Sequence, residues 1–188
     1  PQLECAAVRR GTLIASAMLF ASPLSAQDIN WQLDRINPGF AVQLQYDPGG
    51  TYTHRLRGKE DALYIIDSYF EQQQEPSFTV WVNQRGNYVG LRTASGLERQ
   101  FVPHDCKRTI GSCTYTQVEG TNQQTFTRVT TPDPAAGGYN YVEYNEDGTL
   151  KLRGFIALDD YGTAGSGFAV DADGAKTTYT LLGVIYPP

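Results

Sequence analysis

From Ser77 to the C-terminus, apolar and polar residues alternate in short runs separated by turn formers. SFTVWVN, YVGLRT, LERQFV, CTYTQVE, TFTRVTT, YNYVEYN, TLKLRGFIAL, GFAVD and KTTYTLLGVIY are rich in β-branched and aromatic residues with period-two patterning. Such runs form strands that bury one face. QRG between the first two runs is a hairpin-like gap, and Asp147-Gly148 and Asp173-Gly174 are hairpin turn signals. Upstream, FAVQLQYD (40–47) alternates in the same way and stops at Pro48-Gly49-Gly50, a strand followed by a turn.

One segment has a different period. In KEDALYIIDSYFEQQQEP, apolar residues fall at 62, 63, 65, 66, 69 and 70, one stripe at helical spacing. Glu60 and Asp61 would lie in the first turn, where the helix dipole favours negative charge, and Pro76 would end the helix. The expectation is an amphipathic helix over about residues 60–74 and a β-rich part over 77–186. The fold class is mainly β, an antiparallel sandwich or small barrel with this one helix near the N-terminus; α+β is the alternative.

Individual runs also predict faces. In TLKLRGFIAL, Leu150, Leu152, Ile156 and Leu158 point one way and Lys151 and Arg153 the other. TLLGVIY is apolar on both faces and is expected to be central or covered by the helix. In YNYVEYN, Tyr139, Tyr141 and Glu143 share one face, with Asn140, Val142 and Tyr144 on the other. Val142 is the one aliphatic residue, so its face is expected to be the core side and the tyrosines to face outward.

The N-terminus adds a compartment. Arg9 and Arg10 precede GTLIASAMLFASPLSA, an apolar run shorter than a membrane span, with Pro23 and a small residue at Ala26. Residues 1–26 are expected to be a secretory signal peptide cut before Gln27, leaving 27–188 as one mature domain in the periplasm or outside the cell. PDPAAGG (132–138) is too short to separate two domains. Cys5 leaves with the signal, and Cys106 and Cys113 remain in an oxidising compartment. A zinc site needs four ligands, which two cysteines and two histidines far apart in sequence supply poorly, and a CxxC redox motif is absent. A Cys106–Cys113 disulfide is therefore expected.

The formal net charge of −5, without a basic block, argues against nucleic acid and anionic membrane surfaces as partners. No second apolar run is long enough to anchor the mature chain in a bilayer, and no cofactor or metal is expected. The candidate chemistry is fragmentary. His104-Asp105 adjoins Cys106, and Ser166 lies in AGSGF, which lacks the glycine spacing of a nucleophile elbow. Asp171-x-Asp173-Gly174 imitates a calcium loop, but Ala169 and Thr180 stand where acidic ligands belong. Glu143 with Asp159 or Asp160 has the residue types of a glycosidase pair. Tyr139 and Tyr141 beside Glu143 would form a flat platform for a sugar or a protein.

Residues 42–92, under a third of the chain, resemble the short N-terminal domain of secretins and TonB-dependent receptors. The resemblance lies in VQLQYDP, LRG, the Ala-Leu of the expected helix and YVGLR. It implies the order strand–helix–strand. No complete catalytic constellation is present, so the function expected is a non-catalytic envelope or secreted protein that binds a protein partner or glycan through a β surface. The alternative is a small secreted hydrolase using carboxylates or Ser166 with His104.

Overall fold

The structure, a computed structural model, describes residues 33–158 and 164–187. The expected signal peptide, with its cleavage site, and Asp159 and Asp160 lie outside those residues. The described chain forms twelve strands: β1 (Ala41–Asp47), β2 (Thr51–Glu60), β3 (Leu63–Phe70), β4 (Phe78–Val82), β5 (Tyr88–Thr93), β6 (Glu98–Val102), β7 (Gly111–Glu119), β8 (Asn122–Asp133), β9 (Gly138–Asn145), β10 (Leu150–Leu158), β11 (Ala164–Asp171) and β12 (Lys176–Ile185). Each pairs antiparallel with its sequence neighbours, and β1 pairs with β12, which closes an up-and-down barrel. Closure leaves no unpaired sheet edge. No described helix is long and apolar enough to cross a membrane, and the only helical element among the described residues is a single 3-10 turn, Leu33–Arg35.

β1 and β4 to β12 coincide with the ten runs that alternate in the sequence. The expected helix over 60–74 is not formed, and with it falls the strand–helix–strand order implied by the resemblance. Its place is taken by the end of β2, a tight turn and β3. Tyr64, Ile66, Ser68 and Phe70 pair with inward residues of β2 and β4, while Ile65 and Asp67 face the other way. Both faces of β3 carry apolar residues, so a period of two and a helical stripe fit the same letters. Tyr, Ile and Phe favour strands, and closing the barrel recruits them there. The turn is Asp61-Ala62, both with positive φ (46° and 66°), as in a two-residue type I′ hairpin. Such turns usually contain glycine, so this one sends no signal.

Register follows from bulges as much as from alternation. β10 shifts against β9 between Leu150 and Leu152, which breaks the single leucine face expected of that strand. β12 bulges at Leu182, which is 57% exposed, so the strand expected to be covered on both sides is open to solvent there. Two inward glycines, Gly154 and Gly167, lie beneath the rings of Tyr141 and Tyr179; a Cβ at either would come within 2.7 Å of ring atoms.

One end of the barrel is plugged. Leu33 is buried against Leu56, Tyr64, Val80 and Val82, with Ile36 packed alongside. The Gly39 amide donates to the Leu56 carbonyl (2.7 Å), and Tyr64 donates from its hydroxyl to Asp34. At the same end the β6–β7 loop, residues 103–110, folds inward under the Cys106–Cys113 disulfide, whose Cα atoms are 5.3 Å apart.

Candidate functional site

Alternation puts two unlike surfaces inside the barrel. Strands β1 to β5 contribute Val42, Leu44, Leu56, Ile66, Phe78, Val80 and Leu91, and these enclose a cavity of about 350 Å³ whose floor includes Leu33 and Ile36. Barrels of more than eight strands have interiors that side chains fill incompletely, so a ligand-sized space is an expected consequence of twelve.

The cavity wall holds one neutral polar group of residues. His54 Nδ1 lies 2.8 Å from Ser68 Oγ, and its Nε2 lies 3.4 Å from the Tyr46 hydroxyl. β1, β2 and β3 align these three side chains because His54 pairs with Ser68 across the β2–β3 ladder. The Tyr52 ring stacks on the imidazole at 6.2 Å, and Phe78 lies at the same distance. Burial lowers the His54 pKa to about 4, so the ring is neutral near pH 7. Burial also raises the Tyr46 hydroxyl, further supported by neighbouring tyrosines, so it too stays neutral.

The opposite half is ionic. Glu143 on β9 is 2% exposed. Lys107, carried inward by the disulfide loop, donates from Nζ to Glu143 Oε1 at 2.7 Å and to the Tyr115 hydroxyl at 2.5 Å. Tyr115 donates to the same carboxylate. Arg128 Nη1 lies 3.6 Å from Glu143 Oε2, its Nε donates to Thr130 Oγ1 at 3.3 Å, and its guanidinium sits 4.0 Å from the Tyr141 ring centroid. Burial pushes the Glu143 carboxyl up, but Lys107 and Arg128 outweigh it and hold the group below its ordinary value. Burial lowers the Lys107 amine to about 8, partly offset by Glu143 and reinforced by Arg128. Lys107 also lines the apolar cavity, so the two halves meet at its ammonium group.

The residues singled out in the sequence fall as follows. Cys106 and Cys113 are bonded to each other. Asp105 offers an oxygen within 4.8 Å of both sulfurs, but sulfurs committed to a disulfide leave a single ordinary ligand there. Tyr139, Tyr141 and Glu143 do share a face, but the expected outward orientation is wrong. Tyr141 and Glu143 are 8% and 2% exposed and point into the barrel, whereas Val142 is only half-buried on the outer side. The aliphatic residue misled because this half of the interior is packed with paired charges and rings instead of aliphatics. His104 is exposed, and its carbonyl accepts from Asn83 in the β4–β5 turn (3.0 Å). Ser166 sits on β11, where Oγ accepts from the Leu181 amide (2.9 Å). They occupy different elements with different partners. Asp171 Oδ1 accepts from the Asp173 and Ala175 amides (3.0 and 2.8 Å), making a hairpin turn in place of a calcium loop. The glycosidase pair requires Asp159 or Asp160, outside the described residues.

His54, Ser68, Tyr46, Lys107 and Arg128 were missed. A signal for the first existed: in TYTHRLRG, Tyr52, His54 and Leu56 alternate with Thr51, Thr53 and Arg55. Lys107 and Arg108 inside the Cys–Cys loop carried none, because only the folded loop turns them inward.

The fold and interior define a closed antiparallel β-barrel with an apolar chamber and a buried ionic cluster at its side. Comparison of the chain with family models, with curated proteins and with solved structures finds no match.

Proposed function

We propose that this protein is an exported, non-catalytic binding protein that holds a small apolar ligand inside its barrel. The observation that carries the reading is the chamber of about 350 Å³, walled mainly by aliphatic and aromatic side chains. That volume lies in the range of small-molecule sites. At about 30 Å³ per water-sized group, it has room for about a dozen non-hydrogen atoms.

The outer face supports the reading. Gln43, Gln45 and Arg55 pair across β1 and β2 with outward partners, and Thr114–Thr127 and Thr116–Thr125 face each other across β7 and β8 at 3.0 and 3.4 Å. A barrel that spans a bilayer carries a continuous apolar band outside; here the Gln43–Thr53 and Gln45–Thr51 pairs and the threonine pairs interrupt the outer face with polar groups. On this reading the ligand sits within the barrel and not on the outer β surface expected from Tyr139, Tyr141 and Glu143. Export rests on the arginine-led apolar run at residues 9–26 and agrees with a loop closed by a disulfide.

Titration with the neutral fluorophore N-phenyl-1-naphthylamine tests the reading. Saturable enhancement at one site per chain is expected, and Val80→Trp, which fills the chamber, removes it. Enhancement that is absent, or unchanged in a folded Val80→Trp protein, refutes an interior site.

A further inference from the structure

The chamber is apolar except at a few points, and among its lining residues Lys107 is the one charged side chain, since His54 is held neutral. What stands behind Lys107 decides the sign of ligand that fits. Glu143 is the carboxylate that meets it, at 2.7 Å, and the same carboxylate also serves Arg128 at 3.6 Å. Lys151 adds a further positive charge on this side, with Nζ 3.3 Å from the centroid of the Phe126 ring, which packs on Tyr115. Both Arg128 and Lys151 act on Lys107 as like charges, and Glu143 as the opposing one. One buried carboxylate is therefore shared among several cations. A buried charge that is not fully matched is costly, and an added anion relieves that cost while an added cation increases it.

We propose that the ligand is an amphipathic anion, an unbranched carboxylate of about ten carbons, with its chain in the chamber and its carboxylate on Lys107 Nζ. The inference rests on the interior-site reading above and adds the chemical class of the ligand. The geometry provides both requirements. The aliphatic wall of β1 to β5 takes the chain, and Lys107 presents its ammonium at the boundary with the ionic half. An ammonium has three donors. Two of them go to Glu143 and Tyr115, so one remains for a ligand oxygen. Burial, more than the neighbouring cations, lowers the amine, and a carboxylate bound at Nζ would raise it. The disulfide contributes by holding the loop that delivers Lys107 inward.

The test displaces N-phenyl-1-naphthylamine from the full chain with decanoate, decanol and decylamine at pH 7. Decanoate is expected to displace at a concentration about tenfold lower than decanol, the effect of one charge-assisted hydrogen bond. Decylamine is expected to be the weakest of the three. Lys107→Met is expected to abolish the preference for decanoate over decanol. If the fluorophore and decanol do not bind at all, the interior-site reading fails. If they bind but decanoate is no better than decanol, or decylamine is best, the anion inference fails while the chamber stands. The ranking on the unaltered protein decides the matter even if Lys107→Met does not fold.

Discussion

His54 is a buried base whose protonation should destabilise the barrel. Its ring lies among Tyr52, Phe78 and Tyr46, and burial lowers its pKa from 6.5 to about 4. Between those values the unfolded chain holds a proton that the folded one lacks, so unfolding takes up a proton. Stability is therefore intact above about pH 6.5 and is lost progressively as pH falls towards 4. A difference of about 2.5 units at 1.36 kcal/mol each gives about 3 kcal/mol lost by pH 4. The comparison variant is His54→Gln, whose amide does not titrate and retains hydrogen-bonding capacity towards Ser68. Urea unfolding followed by circular dichroism at pH 7 and pH 4 measures the effect in both proteins. Losses from carboxylates are common to the two, so the difference isolates His54. The native protein should lose about 3 kcal/mol more than the variant over this interval. Equal losses would show that the imidazole is solvated or that protonation is accommodated by its neighbours, and the reasoning would be refuted.

Three further outcomes follow from the same interior. Glu143→Gln should cost about 3–5 kcal/mol in urea unfolding, because Lys107 and Arg128 are left buried without their carboxylate; a loss under 1 kcal/mol would contradict their burial. Replacing both Cys106 and Cys113 by Ser should cost about 2.5 kcal/mol, the loop entropy of about eight residues, and thiol labelling of the unreduced, denatured protein should find neither cysteine free. Gly154→Ala should destabilise by about 1–3 kcal/mol, since its Cβ would meet the Phe168 carbonyl and the Tyr141 ring, whereas Gly183→Ala, with open space around it, should change stability little; equal effects at both positions would deny the packing of Tyr141 over Gly154.

The alternation of the chain by itself determined ten of the twelve strands, and the cysteine pattern pointed to the disulfide. A strand of period two between turn formers carries its signal locally, as in TFTRVTT or at the Asp147-Gly148 turn, where Asp147 Oδ1 accepts the Thr149 amide at 2.9 Å. Two cysteines seven positions apart similarly need no distant information. The β2–β3 hairpin escaped because its turn is Asp61-Ala62 and its second strand is apolar on both faces, so only pairing with β4 tells strand from helix. Which face of β9 is the inside was also undecidable locally. Glu143 is buried because Lys107 reaches it from a loop 36 residues away, and a carboxylate is expelled from an interior unless such a partner arrives. The chamber is likewise a product of closure: β1 meeting β12 turns one face of every strand inward and separates the aliphatic side chains of β1 to β5 from the charges of β7 to β9. Residue types and spacing set what each strand offers, and the tertiary pairing alone decides what each side chain faces.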